Sequence, residues 1–246
     1  MNTPILQLEN LAWAVPGGAD VIRDLSFTLD SGKLVVITGP NGGGKTTLAK
    51  LIAGIETPAA GRILFGGEDI TPLDMTQRAA KGIAYAFQQP VRFKGLTVRD
   101  LLETAAGGRL NESELCGLLG KVGLCANEYI SREMNTSLSG GEAKRIEIAT
   151  VLARDARLSI FDEPEAGIDL WSFARLVETF QELRLSASGT LLIISHQERI
   201  LSIADEIIVV AGGRVRTAGP RQQILPGLLA DERTARCPLE KGDAQV

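Results

Sequence analysis

The stretch Gly39-Pro40-Asn41-Gly42-Gly43-Gly44-Lys45-Thr46-Thr47 follows directly on the apolar run at residues 34–38, and it constrains this chain more than any other feature. It fits G-x-x-x-x-G-K-[ST], a pattern that makes sense only between a strand and a helix. The glycines let backbone N–H groups turn inward around phosphate oxygens, and a helix beginning near Thr46 adds the positive end of its dipole. Lys45 is placed to span terminal phosphates, and the Thr46 hydroxyl is suited to Mg²⁺. A plain glycine-rich turn needs neither Lys nor Thr at those positions, so residues 39–47 are expected to hold a nucleotide's phosphates.

The rest of the chain supplies the frame for such a loop. Its 246 residues are 44% hydrophobic, enough for a full core. Short β-branched runs at residues 34–38, 83–87, 158–161, 191–195 and 206–210 alternate with helical stretches, the pattern of an α/β fold around a mostly parallel sheet. In such sheets ligands gather at the carboxyl ends of the strands. Residues 1 to 30 and 61–67 read instead as short strands with turns at Pro16-Gly17-Gly18 and Gly66-Gly67, an antiparallel section flanking the main sheet. Residues 90–154 show no convincing strand and helical stretches at 98–106, 113–122 and 141–153, which reads as a helical insertion. Within 170–185, Phe173, Leu176, Val177, Phe180 and Leu183 recur at helical spacing as a core stripe. The polar stretch 231–246 is expected to be loosely ordered.

Composition narrows the partners. A net charge of −4 disfavours a nucleic-acid footprint. Cys116, Cys125 and Cys237 match no metal-ligand spacing, and one histidine cannot complete such a site, so a reducing cytoplasm is the expected setting. The first ten residues lack a basic segment followed by an apolar one, and no apolar run approaches the ~20 residues of a membrane span. Direct membrane insertion is therefore not expected.

Two further motifs bear on chemistry. The run Leu158-Ser159-Ile160-Phe161-Asp162-Glu163 is an apolar strand ending in adjacent carboxylates. Asp162 is expected to hold Mg²⁺, and Glu163 to point to where a hydrolytic water would sit. Ser139-Gly140-Gly141, opening a helix, form an anion cradle of hydroxyl and backbone N–H groups, although an ordinary Ser N-cap explains the same residues.

Taken in order, these motifs resemble the ATP-binding cassette (ABC) ATPases, and the resemblance covers about residues 5–220. It implies a P-loop NTPase fold: a core from residues 1–89 and 155–220, a helical signature subdomain at 90–154 and a C-terminal tail at 221–246. It implies ATP and Mg²⁺ as ligands. Gln88, closing Tyr85-Ala86-Phe87-Gln88, becomes a sensor of Mg²⁺ or of the attacking water; Ser139, Gly140 and Gly141 become the signature; Asp169 closes the D-loop; and His196 becomes a γ-phosphate switch. It further implies an ATP-dependent homodimer in which one copy's signature completes the other's ATP site. Trp13 and Val15 are the two candidates for stacking on adenine.

Three departures are informative: Ser-Gly-Gly followed by Glu142-Ala143-Lys144-Arg145, the D-loop Ala166-Gly167-Ile168-Asp169 after Glu165, and Gln197-Glu198-Arg199-Ile200-Leu201 after His196. These look like the SufC-type ATPases of iron–sulfur cluster assembly. They imply a Suf scaffold partner (SufB/SufD-like) that the ATPase remodels. The alternative is the ATP-binding subunit of a membrane transporter, with the Gln88 loop and residues 90–110 receiving a transmembrane permease subunit.

Overall fold

A computed structural model describes residues 4–135, 137–185 and 189–234. In chain order the elements are β1 (Pro4–Ala14), β2 (Asp20–Asp30), β3 (Leu34–Thr38), α1 (Lys45–Ala53), β4 (Ala60–Phe65), β5 (Glu68–Asp69), α2 (Met75–Ala80) and β6 (Ile83–Ala86). They continue with α3 (Val98–Ala106), α4 (Glu112–Lys121), α5 (Ala126–Tyr129), α6 (Gly140–Ala153), β7 (Leu158–Asp162), α7 (Leu170–Leu185), β8 (Thr190–Ile194), α8 (Glu198–Ile203), β9 (Glu206–Ala211), β10 (Arg214–Pro220) and α9 (Arg221–Thr234).

Two sheets result. The main sheet has the order β10-β9-β3-β8-β7-β6, with β9 through β6 parallel and β10 antiparallel on the edge. The second, β2-β1-β4-β5, is antiparallel throughout. Strand β3 shows why the layers form. All five of its residues are buried, and they alternate between two cores. Leu34 and Val36 face a core shared with α3, α4, α6, α7 and α8, whereas Val35 and Ile37 face one shared with α1 and the antiparallel sheet. The P-loop thus leaves a strand anchored on both faces.

Among the described residues, four helices begin with a reciprocal capping box: Asp74 with Gln77, Thr97 with Asp100, Asn111 with Glu114, and Ser139 with Glu142. Each fills two otherwise unpaired backbone donors, a contribution of about 1 kcal/mol. The α7 stripe packs as its spacing predicts, with Phe173, Leu176 and Phe180 buried and Val177 and Leu183 against the same core. The Phe161 and Phe180 rings meet edge-on at 5.0 Å.

The structure corrects several expectations. The N-terminal strands are not short: β1 and β2 run for 11 residues each, because register shifts let a twisted ladder continue past polar positions. Strand β6 stops at Ala86, one residue before the expected end. Elements α2, α8 and β10 have no counterpart in the sequence reading; α2 and α8 are six residues each, below the length at which periodicity can be read. Within the expected tail, residues 221–234 form helix α9, whose Ile224, Leu225 and Leu228 pack against the main core. The expectation for the last residues lies largely outside the described ones.

Candidate nucleotide-binding site

The site is assembled at the carboxyl ends of β3, β6, β7 and β8, where open α/β sheets leave room for ligands. The P-loop and the start of α1 form its floor. The loop's tightness is set by Gly39, whose φ is +134° and where a Cβ would stand 2.1 Å from the Val210 carbonyl oxygen. The far side of the loop is tied to the β9–β10 turn by the Gly213 N–H, which donates to the Gly43 carbonyl at 3.2 Å. Lys45 is 7% exposed, and its Nζ donates to the carbonyls of Gly39 at 2.7 Å and Pro40 at 3.0 Å. Burial lowers its pKa, while Glu163 and Asp162 act in the opposite sense.

The two strand-end carboxylates occupy different environments. Asp162 is fully buried. Its Oδ1 accepts from the Thr46 hydroxyl at 3.2 Å and its Oδ2 from the Tyr85 hydroxyl at 3.0 Å. Burial raises the pKa of both Asp162 and Tyr85. Glu163 is only half-buried, and its φ of +46° is an uncommon backbone state for a non-glycine residue. Its N–H continues the ladder by donating to the Ile194 carbonyl at 3.0 Å, and its Oε2 accepts from Gln88 Nε2 at 2.7 Å. A cavity of about 410 Å³ is lined by Asn41, Gly42, Gly43, Gly44, Lys45, Thr46, Thr47, Gln88 and Glu163.

The chain therefore brings together the P-loop, Gln88, Asp162 and Glu163. It does not bring the signature to them. Ser139, exposed, is the N-cap of α6, and its Oγ accepts from the Glu142 N–H at 3.2 Å. A Cβ on Gly141 would stand 2.6 Å from the Gly167 carbonyl, so signature and D-loop lie against each other. Asp169 caps α7, its Oδ1 accepting from the N–H groups of Trp171 at 3.1 Å and Ser172 at 3.0 Å. His196 is exposed beyond the end of β8. Neither adenine candidate lines the cavity: Trp13 packs against the core, Val15 is exposed past the end of β1, and Val21 is the apolar residue at the cavity wall.

Sequence reasoning missed four supporting residues. Tyr85 holds Asp162. Glu165 Oε1 accepts from the Ser195 hydroxyl at 2.6 Å, and Ser195 Oγ in turn accepts from the Gln197 N–H at 3.0 Å, bracing the turn that carries His196. Burial raises the Glu165 pKa. Glu147 receives the Phe87 N–H at 3.0 Å. Each stands within a few residues of a motif, a signal that identifies candidates but not their partners.

Glu142 carries a prediction for stability. Its oxygens accept from the Tyr129 hydroxyl and from the Ser139 N–H, the latter at 2.7 Å. These bonds, the Tyr129 bond foremost, lower its pKa from 4.5 to about 2. A lowered carboxyl pKa gives stability that is present above pH 4.5 and lost as the pH falls towards 2. The group is largely solvent-screened, so the contribution is only about 1 kcal/mol. Urea unfolding of Glu142→Gln is expected to show that deficit at pH 7 and little or none near pH 2; a deficit independent of pH would exclude the charge as its source.

Comparison with known proteins adds the lineage. The family model described as "ABC transporter" matches residues 22–166. An uncharacterised ABC transporter ATP-binding protein of Methanocaldococcus jannaschii is 33% identical over 89% of this chain and 90% of its own length. The lipopolysaccharide export system ATP-binding protein LptB of Escherichia coli is also 33% identical, over 89% of this chain and 92% of its own length. A solved nucleotide-free ATP-binding cassette from an ABC transporter superposes with a TM-score of 0.78 at 25% identity, covering 98% of this chain and all of that one. These relatives are transporter components. They favour the transporter alternative over the SufC-type reading that the signature and D-loop residues suggested.

Proposed function

The chain belongs to the ABC transporter family of ATPases, and from that premise we propose that it is the ATP-binding subunit of a membrane transporter, converting ATP hydrolysis into movement of a transmembrane permease partner. The relatives' names support this reading, and one feature of the surface carries it. A largely apolar groove of about 540 Å³ lies beside strand β6, lined by Met75, Ala79 and Ala80 of α2, Phe87, Ala105 and Val151 among others. Met75 is 48% exposed, unusual for so apolar a side chain. A short amphipathic helix of a permease fits such a groove. No helix among the described residues is long and apolar enough to cross a membrane, so membrane attachment through a partner at the cytoplasmic face is the arrangement proposed.

The residues present suit ATP and Mg²⁺. The P-loop is a cradle that a Cβ at Gly39 would fill, and Thr46 and Asp162 offer the hard oxygen ligands that Mg²⁺ prefers. When bound, Mg²⁺ neutralises charge on the phosphates and polarises them. Lys45 exchanges its two carbonyl contacts for phosphate oxygens. Thr46, Asp162 and Gln88 would hold the metal, with Tyr85 keeping Asp162 oriented. Glu163, half-exposed and turned to the cavity, takes the proton of the attacking water, and Gln88 orients it. His196 donates to the γ-phosphate. Ser139, Gly140, Gly141 and Asp169 act in trans, completing the site of a second copy when ATP closes the homodimer.

The partner is tested by affinity purification of the tagged chain from detergent-solubilised membranes of its native cell. A polytopic membrane protein should be retained by the wild-type chain and lost with Ala80→Glu, which places a charge in the groove. Ala80 is exposed on α2, so thermal unfolding of the purified chain should not change. Retention of a soluble scaffold protein instead would overturn the transporter reading in favour of the Suf-type one.

A further inference from the structure

Helix α6 buries two charged side chains among apolar ones. Lys144 is 0% and Glu147 9% exposed, alongside buried Ala143, Ile146, Ile148 and Ala149. A buried ion pair gains little unless its remaining hydrogen-bonding capacity is filled; here Lys144 and Glu147 Oε1 find their partners largely in one place, while Glu147 Oε2 has no hydrogen-bond partner. Lys144 Nζ donates to the Phe87 carbonyl, and more weakly to the carbonyls of Gln88 at 3.3 Å and Asp162 at 3.4 Å. Glu147 Oε1 accepts from the Phe87 N–H at 3.0 Å, and its Oε2 lies 3.5 Å from Lys144 Nζ. Both backbone polar groups of Phe87 are therefore gripped by one turn of α6. Burial pushes the Glu147 carboxyl up to about 7 and the Lys144 ammonium down, so burying this pair has a desolvation cost.

The pair sits at the junction of three parts of the site. Phe87 precedes Gln88, whose Nε2 reaches Glu163. The Asp162 carbonyl belongs to the residue between Thr46 and Tyr85. Helix α6 itself begins at the capping Ser139. The geometry points to Lys144 and Glu147 as positioning residues that clamp the Phe87–Gln88 backbone and the end of β7 to α6, so that Gln88 and the signature end of the helix move as one piece. The inference deepens the ATPase reading and rests on it: the start of α6 and the end of β6 keep a fixed spacing.

The test uses the full chain with Lys144→Met, Lys144→Gln, Glu147→Gln and Glu147→Ala, and two readouts: amide hydrogen exchange at Phe87 and Gln88 without nucleotide, and Mg-ATP hydrolysis resolved into kcat and KM. Lys144→Met should speed exchange at Phe87 by about tenfold or more and lower kcat by about tenfold, with the KM for ATP within about twofold. Lys144→Gln, whose amide still donates, should recover most of that loss. Glu147→Gln still accepts from the Phe87 N–H and should stay near wild type, whereas Glu147→Ala should behave like Lys144→Met. Unchanged exchange at Phe87 in Lys144→Met, or a kcat loss matched by a rise in KM, overturns the clamp. If Lys144→Met does not fold, the Glu147→Gln and Glu147→Ala pair decides in the same two readouts. A wild-type chain that neither binds nor hydrolyses ATP would sink the ATPase reading, while the exchange comparison would still judge the clamp.

Discussion

Replacing Glu163 with Gln is expected to lower ATP turnover by about 10²–10⁴-fold while nucleotide affinity stays close to wild type. The argument rests on how differently the two adjacent carboxylates are placed. Both oxygens of Asp162 are engaged, by Thr46 and Tyr85, and burial keeps the group away from bulk water. Glu163 is half-buried and lines the cavity, and its Oε2 accepts from Gln88 Nε2. Only the second can take a proton from a water arriving beside the phosphates. The amide of Gln keeps the shape but not the basicity, so the loss appears in the chemical step as about 3–5 kcal/mol of barrier. Phosphate release at saturating Mg-ATP, compared with equilibrium titration of the nucleotide, separates the two quantities. Turnover within about threefold of wild type would remove Glu163 from the role of base.

Gly39→Ala is expected to cost about 2–6 kcal/mol of folding stability and to abolish nucleotide binding together with it. Two independent penalties combine. The backbone at φ +134° is a region that side chains rarely enter, worth about 1–3 kcal/mol. The added methyl would stand 2.1 Å from the Val210 carbonyl, an overlap worth about 1–3 kcal/mol if the neighbour yields. That carbonyl cannot yield easily, because Val210 is fully buried and β9 is paired on both sides, with β3 and with β10. Relaxation must then move the P-loop itself and spoil the spacing of its N–H groups. Urea unfolding and a nucleotide titration measure the two effects; an unchanged unfolding midpoint would contradict the geometry.

What could be read from the sequence was whatever is local. The P-loop, the Asp162-Glu163 strand end, the Ser139 cap and the α7 stripe each declare themselves within a window of a dozen residues, because a turn, a cap or a helical period is set by neighbours along the chain. Thr46 and Asp162 were both expected at Mg²⁺, but Tyr85 as a partner of Asp162 was illegible, since it comes from another strand. Lys144 and Glu147 were illegible for a sharper reason: at helical spacing, Lys and Glu look like a solvated face, and only the placement of β6 and β7 over α6 turns that face inward. The comparisons favour the alternative partner class for a related reason. A handful of residues around the signature and the D-loop pointed to a Suf-type ATPase, whereas similarity over nearly the whole chain draws on the surface and core as well, and there the reported relatives are transporter subunits.

The β9–β10 turn looks like an ordinary surface hairpin, the kind of place chosen for an inserted epitope or a fluorescent label. It is a poor choice here. The Gly213 N–H donates to the Gly43 carbonyl of the P-loop, and the Gly213 carbonyl accepts from the Arg23 N–H at 2.9 Å. The turn is stitched on one side to the phosphate loop and on the other to β2, so anything spliced into it would be transmitted to the nucleotide. A probe meant to report on this ATPase without disturbing it belongs elsewhere, for example at the exposed Cys116 of α4.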